Sequence, residues 1–192
     1  MRDAPELETP RLILRPLSGA DLDAAHRVSN DPLVRRHLWD DEPVVKAAVE
    51  GVISRSLKTF AEEGFGLFGM RLRAGDGELI GYCGLLHLGV TGRVELLYAL
   101  LPEWWGRGLA TEAARACLRF ALEEAGLECV VAGADPPNAA SLRVIEKLGM
   151  TPVGELLTGV PYFELTRESF RASERRNGGE SLFVRRPPPC GP

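Results

Sequence analysis

Three short stretches of this 192-residue chain carry residue types able to do chemistry. The first is Gly106-Arg107-Gly108. It stands between a run from Val94 to Leu101, apolar except for Glu95 and Tyr98, and a run from Leu109 whose apolar residues recur at helical spacing. Missing side chains let another molecule approach the backbone there, and a helix opening at Leu109 offers unpaired N–H groups at the positive end of its dipole. Such a turn can seat an anion, with Gly108, Leu109, Ala110 and Thr111 presenting amides and Arg107 adding a charge-assisted contact. A plain strand-to-helix turn would also call for two glycines. The stretch lacks the Gly-Lys-Ser/Thr of a P-loop and the third glycine of the dinucleotide fingerprint, so neither commoner phosphate binder applies.

The second stretch is the strand itself. Glu95 is a carboxylate in an apolar run, a placement that needs a use or a partner. Burial would raise its pKa toward the range of a general base. The alternatives are an ion pair with Arg93 or Arg107, or a strand end open to water. The third stretch is Asn138 to Ser141. Asn138 is suited to cap the helix carrying the stripe Leu142, Ile145 and Leu148, and Ser141 falls in that helix's first turn. Elsewhere, His26 and His87 have no partner pattern and read as structural.

These stretches need elements to hold them. Arg11 to Pro16 reads as a short strand, and Ser18 to Asp21 opens a helix with Leu22, Ala25 and Val28 on one side, stopped by Asn30-Asp31-Pro32. A second helix over about residues 42–62 carries the stripe Val45, Val49, Val52, Ile53, Leu57 and Phe60. Residues 65–72 and 78–87 are strands joined by the hairpin signal Ala74-Gly75-Asp76-Gly77. The Val94 run suits a central strand buried on both faces. In the helix after it, Leu109, Ala113, Ala116, Cys117 and Phe120 share a face, with Arg115, Arg119 and Glu123 turned away. Residues 128–134 form another buried strand, and a helix between two buried strands implies a parallel, right-handed crossover. Residues 150–157 and 162–165 close the sequence as a hairpin. From Arg171 onward the Ser, Arg, Gly and Pro content reads as a flexible tail, in which Ser181 to Val184 could pair with a sheet edge.

The run Trp105-Gly106-Arg107-Gly108-Leu109-Ala110 resembles the acetyl-CoA signature of the GNAT N-acetyltransferase superfamily, a strand followed by Gln/Arg-x-x-Gly-x-Gly/Ala. Trp105 stands at the first position in place of Gln or Arg. Pro102 to Ala113 looks like the RimJ/RimL-type branch, which acetylates protein N-termini and related amines. A second piece, Asn138-x-x-Ser141 running to Glu146-Lys147-Leu148-Gly149-Met150, lies in the family's order some thirty residues later. The resemblance spans residues 8–170, with 171–192 as a C-terminal tail. It implies an α/β (α+β) fold with a mixed, mostly antiparallel, splayed sheet flanked by helices.

It also implies roles. Glu95 would be a water-linked general base, and the backbone of Leu100 and Leu101 would bond the pantetheine arm. Gly106, Arg107, Gly108, Leu109, Ala110 and Thr111 would hold the diphosphate, and Asn138 would lie beside the cofactor. Many members carry a tyrosine seven residues after that asparagine as general acid. Ile145 stands there in this chain, which leaves Ser141, alone or through water, as proton donor. His37 and Trp39 lie in the join between the first two helices, which in the family borders the acceptor pocket. Packing of Trp39 at the core edge and a solvated His37 is the alternative.

Composition bounds the rest. The hydrophobic content of 45% suits one well-buried core. The net charge of −4 divides into +3 over residues 171–192 and −7 before them. An acidic body argues against nucleic acid and favours cationic acceptors such as amines. Cys83, Cys117, Cys129 and Cys190 show no Cys-x-x-Cys spacing and read as free thiols in a reducing compartment, not as a metal site. No run reaches the roughly 18 apolar residues of a membrane helix, and no secretory signal is visible. The expectation is a cytoplasmic acyl-CoA-dependent N-acetyltransferase using acetyl-CoA as co-substrate and no metal, with no nucleic-acid or membrane partner, and a homodimer as one option. Its acceptor would be a protein N-terminal amine. The alternatives are a small amine such as a polyamine, amino acid or antibiotic, or a non-catalytic acyl-CoA-binding module with Glu95 and Ser141 turned away from the thioester.

Overall fold

The computed structural model describes residues 5–89, 91–177 and 183–185. The strands are β1 (Glu6–Glu8), β2 (Leu12–Pro16), β3 (Leu67–Leu72), β4 (Leu79–His87), β5 (Val94–Leu100), β6 (Cys129–Gly133), β7 (Thr151–Leu157), β8 (Val160–Thr166) and β9 (Phe183–Arg185). The helices are α1 (Leu22–Asn30), α2 (Pro32–Leu38), α3 (Lys46–Glu63), α4 (Leu109–Arg119), α5 (Ala139–Lys147) and α6 (Arg167–Asn177). One sheet runs in the order β7-β8-β6-β5-β4-β3-β2-β1-β9. Every neighbouring pair is antiparallel except β5 and β6, which the crossover through α4 makes parallel. None of the described helices is long and apolar enough to cross a membrane.

Strand β5 is apolar apart from Glu95 and Tyr98 because both of its faces are covered. Leu97, Ala99 and Leu101 pack with Ala25, Val28, Val49 and Ile53 from α1 and α3. Leu96 and Leu100 pack with Leu109, Ala113 and Cys117 of α4 and Ile145 of α5. Alternation along the strand therefore assigns Glu95 to the α1–α3 face and Tyr98 to the α4–α5 face. A smaller cluster of Leu88, Val131 and Tyr162 closes the β8 side.

Four expectations change. Asn30-Asp31-Pro32 ends α1 but also starts α2, because the Asp31 carboxylate accepts the N–H groups of Leu33 and Val34 and Pro32 occupies the first helical position. In α3, Val45 is the exposed N-cap and Leu57 faces solvent, while Ser56 and Thr59 are buried. Ser56 is tolerated there because its hydroxyl accepts the Leu67 N–H at 2.7 Å. Residues 171–177, read as flexible tail, continue α6, whose Phe170 enters the core. Helix α6 also supplies Glu174 as the ion-pair partner of Arg119, which is mostly buried and not turned to solvent. Residues Phe183 and Val184 do pair with a sheet edge, that of β1, whereas Ser181, Leu182 and Cys190 lie outside the described residues. His26 bonds the Val44 carbonyl and His87 bonds Glu63.

Ser56→Ala would leave the buried Leu67 N–H without an acceptor. It should lower the unfolding free energy by about 1–3 kcal/mol, read from urea denaturation at an unchanged m-value.

Candidate active site

A cleft of about 730 Å³ opens where β5 and β6 part. Only one residue pair, Glu95 with Val131, registers the two strands. Beyond it β5 continues without a neighbour on that side. Hydrogen-bonded and non-bonded pairs alternate along an antiparallel ladder. Leu101 donates to the Ile80 carbonyl at 3.0 Å, so Leu100 opposite Gly81 and Tyr98 opposite Cys83 are non-bonded pairs. Their N–H groups point away from β4, into the gap. Leu101, expected to serve with Leu100, is unavailable: Ile80 takes its N–H, and its carbonyl accepts the Trp104 N–H at 3.0 Å. Tyr98 takes its place beside Leu100. The Leu100 carbonyl accepts the Trp105 indole N–H at 2.5 Å. That bond gives Trp105, 44% exposed at the cleft wall, a local reason to stand at this position.

One end of the cleft is the start of α4. Gly106 and Gly108 have φ of 72° and 75°, in the left-handed region where a side chain would be strained. Gly108 is the N-cap and no side chain caps the helix, so the first-turn amides of Leu109, Ala110 and Thr111 meet the cleft without intrahelical acceptors. The Arg107 guanidinium, expected at an anion, instead lies 4.7 Å from the centre of the Trp104 ring and does not line the cleft.

The two candidate catalytic groups enter from opposite faces. On the α1–α3 face, the Glu95 carboxylate meets the Tyr162 hydroxyl and the Gly133 N–H. Burial raises its pKa, and these two donors, which favour the charged form, partly offset the rise. The Tyr162 phenol is pushed up in turn by its own burial and then by the Glu95 charge. Neither arginine considered as a partner pairs with Glu95, since Arg93 is ion-paired with Glu164 and Arg107 stacks on Trp104. Gly133 is required here, because a Cβ would come within 2.7 Å of the Tyr162 ring.

On the α4–α5 face, Asn138 caps α5 by accepting the Ser141 N–H at 3.1 Å. The cap fixes the first turn and so the Ser141 hydroxyl, which lies 2.6 Å from the Tyr98 hydroxyl. The Tyr98 phenol also lies 3.3 Å from the Ser141 carbonyl oxygen, and burial pushes its pKa up to about 12. When the phenol donates to Ser141 Oγ, the serine proton is free to face the cleft. Ile145 is buried in the core.

His37 lines the cleft mouth with its Nδ1 3.7 Å from an Asp135 carboxylate oxygen. Trp39 is absent from the lining and packs on the α1–α3 core beside Tyr82. Tyr98, Tyr162 and Asp135 are the site residues that sequence reasoning missed. Tyr98 had a signal, as one of two polar interruptions in the central strand. Tyr162 and Asp135 had none.

A mixed sheet opened at one strand pair, with a naked helix start at the opening, offers amides to an extended, anion-bearing ligand, and comparisons with known proteins identify the family. The family described as "Acetyltransferase (GNAT) domain" matches residues 11–151. The chain belongs to this GNAT acetyltransferase family. Spermidine N(1)-acetyltransferase of Escherichia coli (strain K12) is 30% identical over 147 residues, 75% of this chain and 75% of that protein. A shorter match, 41% identical over 76 residues, links the chain to uncharacterized protein YkkB of Bacillus subtilis (strain 168), covering 38% of this chain and 44% of that protein. Among solved structures, the acetyltransferase from Agrobacterium tumefaciens str. C58 superposes with a TM-score of 0.76 at 28% identity, covering 86% of this chain and 96% of that one. RimL, the ribosomal L7/L12 alpha-N-protein acetyltransferase in complex with coenzyme A, shares the fold with a TM-score of 0.68 at 15% identity, covering 84% of this chain and 97% of that one.

A hydrogen bond donated to a carboxylate stabilises its charged form. Tyr162→Phe removes such a bond, so the Glu95 pKa should rise further and the acid limb of the kcat/KM profile should move to higher pH. An acid limb at the wild-type position would show that Glu95 does not govern it.

Proposed function

We propose that this protein transfers an acetyl group from acetyl-CoA to a primary amine by direct attack in a ternary complex, in the cytoplasm, and that the acceptor is a protein N-terminal amine, as in the RimJ/RimL-type branch. The observation that carries the reading is the placement of Glu95 and the Tyr98–Ser141 pair on opposite faces of the strand gap. An acyl transfer needs a base on the side where the amine arrives and an acid on the side where the thiolate leaves.

The groups present fit the co-substrate. The first-turn amides at Gly108 to Thr111 suit a diphosphate, and the gap amides of Tyr98 and Leu100 suit an extended amide-bearing arm that continues the ladder. Glu95 takes a proton from the incoming ammonium, directly or through water. The amine nitrogen then bonds to the carbonyl carbon, and a gap amide faces the oxygen as it becomes negative. The carbon–sulfur bond breaks with the electron pair going to sulfur. Ser141 Oγ–H protonates the thiolate, Tyr98 O–H returns a proton to Ser141, and the second proton lost by the acylated nitrogen, carried by water, restores Tyr98. Glu95 and Ser141 both line the cleft, which a silent acyl-CoA-binding module would not require.

The cleft mouth bears on the acceptor. Leu33 of α2 and Leu157 of β7, each 45% exposed, flank it, with Val34 and Val160 behind. Two carboxylates line the cleft, Glu95 and Asp135, and His37 stands against the second. Apolar walls suit the first side chains of a peptide better than the repeated charges of a polyamine. A polyamine is the second reading, favoured by the 30% identity to spermidine N(1)-acetyltransferase.

Mass spectrometry of a peptide and small-amine panel incubated with protein and acetyl-CoA should show acetylated peptide N-termini. Acetylation of spermidine with untouched peptides would replace the first reading with the second. Tyr98→Phe and Ser141→Ala should each lower kcat about 10²-fold with little change in acetyl-CoA KM. The double variant should be no slower than the slower single, because the two groups act as one relay.

A further inference from the structure

Near the base of α4 a carboxylate stands where an anion seat should not want one. Glu112 lies in the first turn of the helix and is largely buried, its side chain 12% exposed. At that depth its charge would oppose a diphosphate held by the same turn. The charge is answered from the connection between β1 and β2. Glu112 Oε1 accepts from the Thr9 hydroxyl at 2.6 Å and from the Arg11 N–H at 2.9 Å, and Oε2 accepts from Arg11 Nε at 2.6 Å. The same guanidinium donates from Nη1 to the Arg107 carbonyl at 2.8 Å.

That last bond acts on the loop. The Arg107–Gly108 peptide is trans, so fixing its carbonyl toward Arg11 turns the Gly108 N–H the opposite way. Gly108 lines the cleft, and its left-handed conformation leaves the peptide free to rotate unless something holds it. Arg11 passes 3.5 Å from where a Gly108 Cβ would be, so it holds the turn at its outer side.

We infer that Thr9, Arg11 and Glu112 form a clamp that sets the diphosphate-binding loop, with Arg11 as a positioning residue and not a ligand of the anion. The inference rests on the acetyl-CoA reading above. It makes an unusual prediction for Glu112. Deleting a negative charge beside an anion seat should strengthen anion binding by simple electrostatics. If the carboxylate instead anchors Arg11, its loss frees the loop and weakens binding.

The test compares acetyl-CoA with S-acetyl-pantetheine, which has the thioester and the pantetheine amides but no diphosphate. Arg11→Ala and Glu112→Ala should each raise KM for acetyl-CoA about ten- to a hundredfold with kcat within a few fold. Neither should change kcat/KM for S-acetyl-pantetheine more than about twofold. Arg11→Lys keeps the charge but cannot reach both Glu112 and the Arg107 carbonyl, and it should show the same diphosphate-selective loss if Arg11→Ala does not fold. Equal losses with both thioesters, or unchanged kinetics with both, overturn the clamp. Tighter acetyl-CoA binding by Glu112→Ala overturns it too, since Arg11 would then be a direct ligand. A wild type that releases no thiol from either thioester overturns the acetyl-transfer reading itself, and the clamp with it.

Discussion

A buried β-strand rarely leaves its amides without a partner strand, and the organisation of this molecule follows from one place where it does. Strand β5 has β4 along one edge for its whole length and β6 along the other for a single registered pair. Past that pair, the Tyr98 and Leu100 amides lie at mid-sheet depth with helices above and below. Orphaned backbone groups at such depth cost free energy comparable to lost hydrogen bonds. The chain leaves the amides open and closes the neighbouring acceptor with its own side chain, Trp105 N–H on the Leu100 carbonyl. What remains is a ladder position with donors facing outward, which an extended amide-containing molecule can complete.

The gap also sorts the chemistry by side. Because side chains alternate along β5, a single strand presents Glu95 to one helical layer and Tyr98 to the other. Each is tuned where it lands. Glu95 is raised by burial and restrained by Tyr162 and Gly133, while Tyr98 is raised to about 12, chiefly by burial and against the hydrogen bond with Ser141. A carboxylate that ionises late and a phenol that ionises very late are suited to opposite directions of proton flow. Two groups on one face would have crowded the acceptor and the leaving sulfur into the same volume.

The parts of this arrangement that were legible in the sequence are the local ones. Gly106-Arg107-Gly108 after an apolar run, Asn138 three residues before Ser141, and the helix-strand order from β2 through β8, α2 excepted, depend on near neighbours and short periods. What escaped depends on distant partners. Leu57 faces water because Ser56 found an acceptor role toward Leu67, eleven residues on. The polar average of α6 hid Phe170 and Glu174, whose partners are in the core and on α4. Asp31-Pro32 was ambiguous because the same pair ends one helix and caps the next. Tyr98 and Ser141 are 43 residues apart and nothing in either neighbourhood announces the other.

The same distance dependence makes the N-terminal connection part of the site. Arg11 and Glu112 are 101 residues apart, and their contact joins the far strands of the sheet to the helix start at the gap. Loop closure over such a span is unfavourable until the sheet between them has formed. The glycine turn is therefore held in its final geometry by a contact that spans the sheet from β2 through β3 and β4 to β5. A turn with two left-handed glycines has little conformational preference of its own, and it needs an external support to present amides in one direction. Arg11 supplies that support from the connection between β1 and β2, outside the cleft lining. The order of the site is in this sense a property of the completed sheet, and the glycines that mark it in the sequence supply the freedom that the sheet then removes.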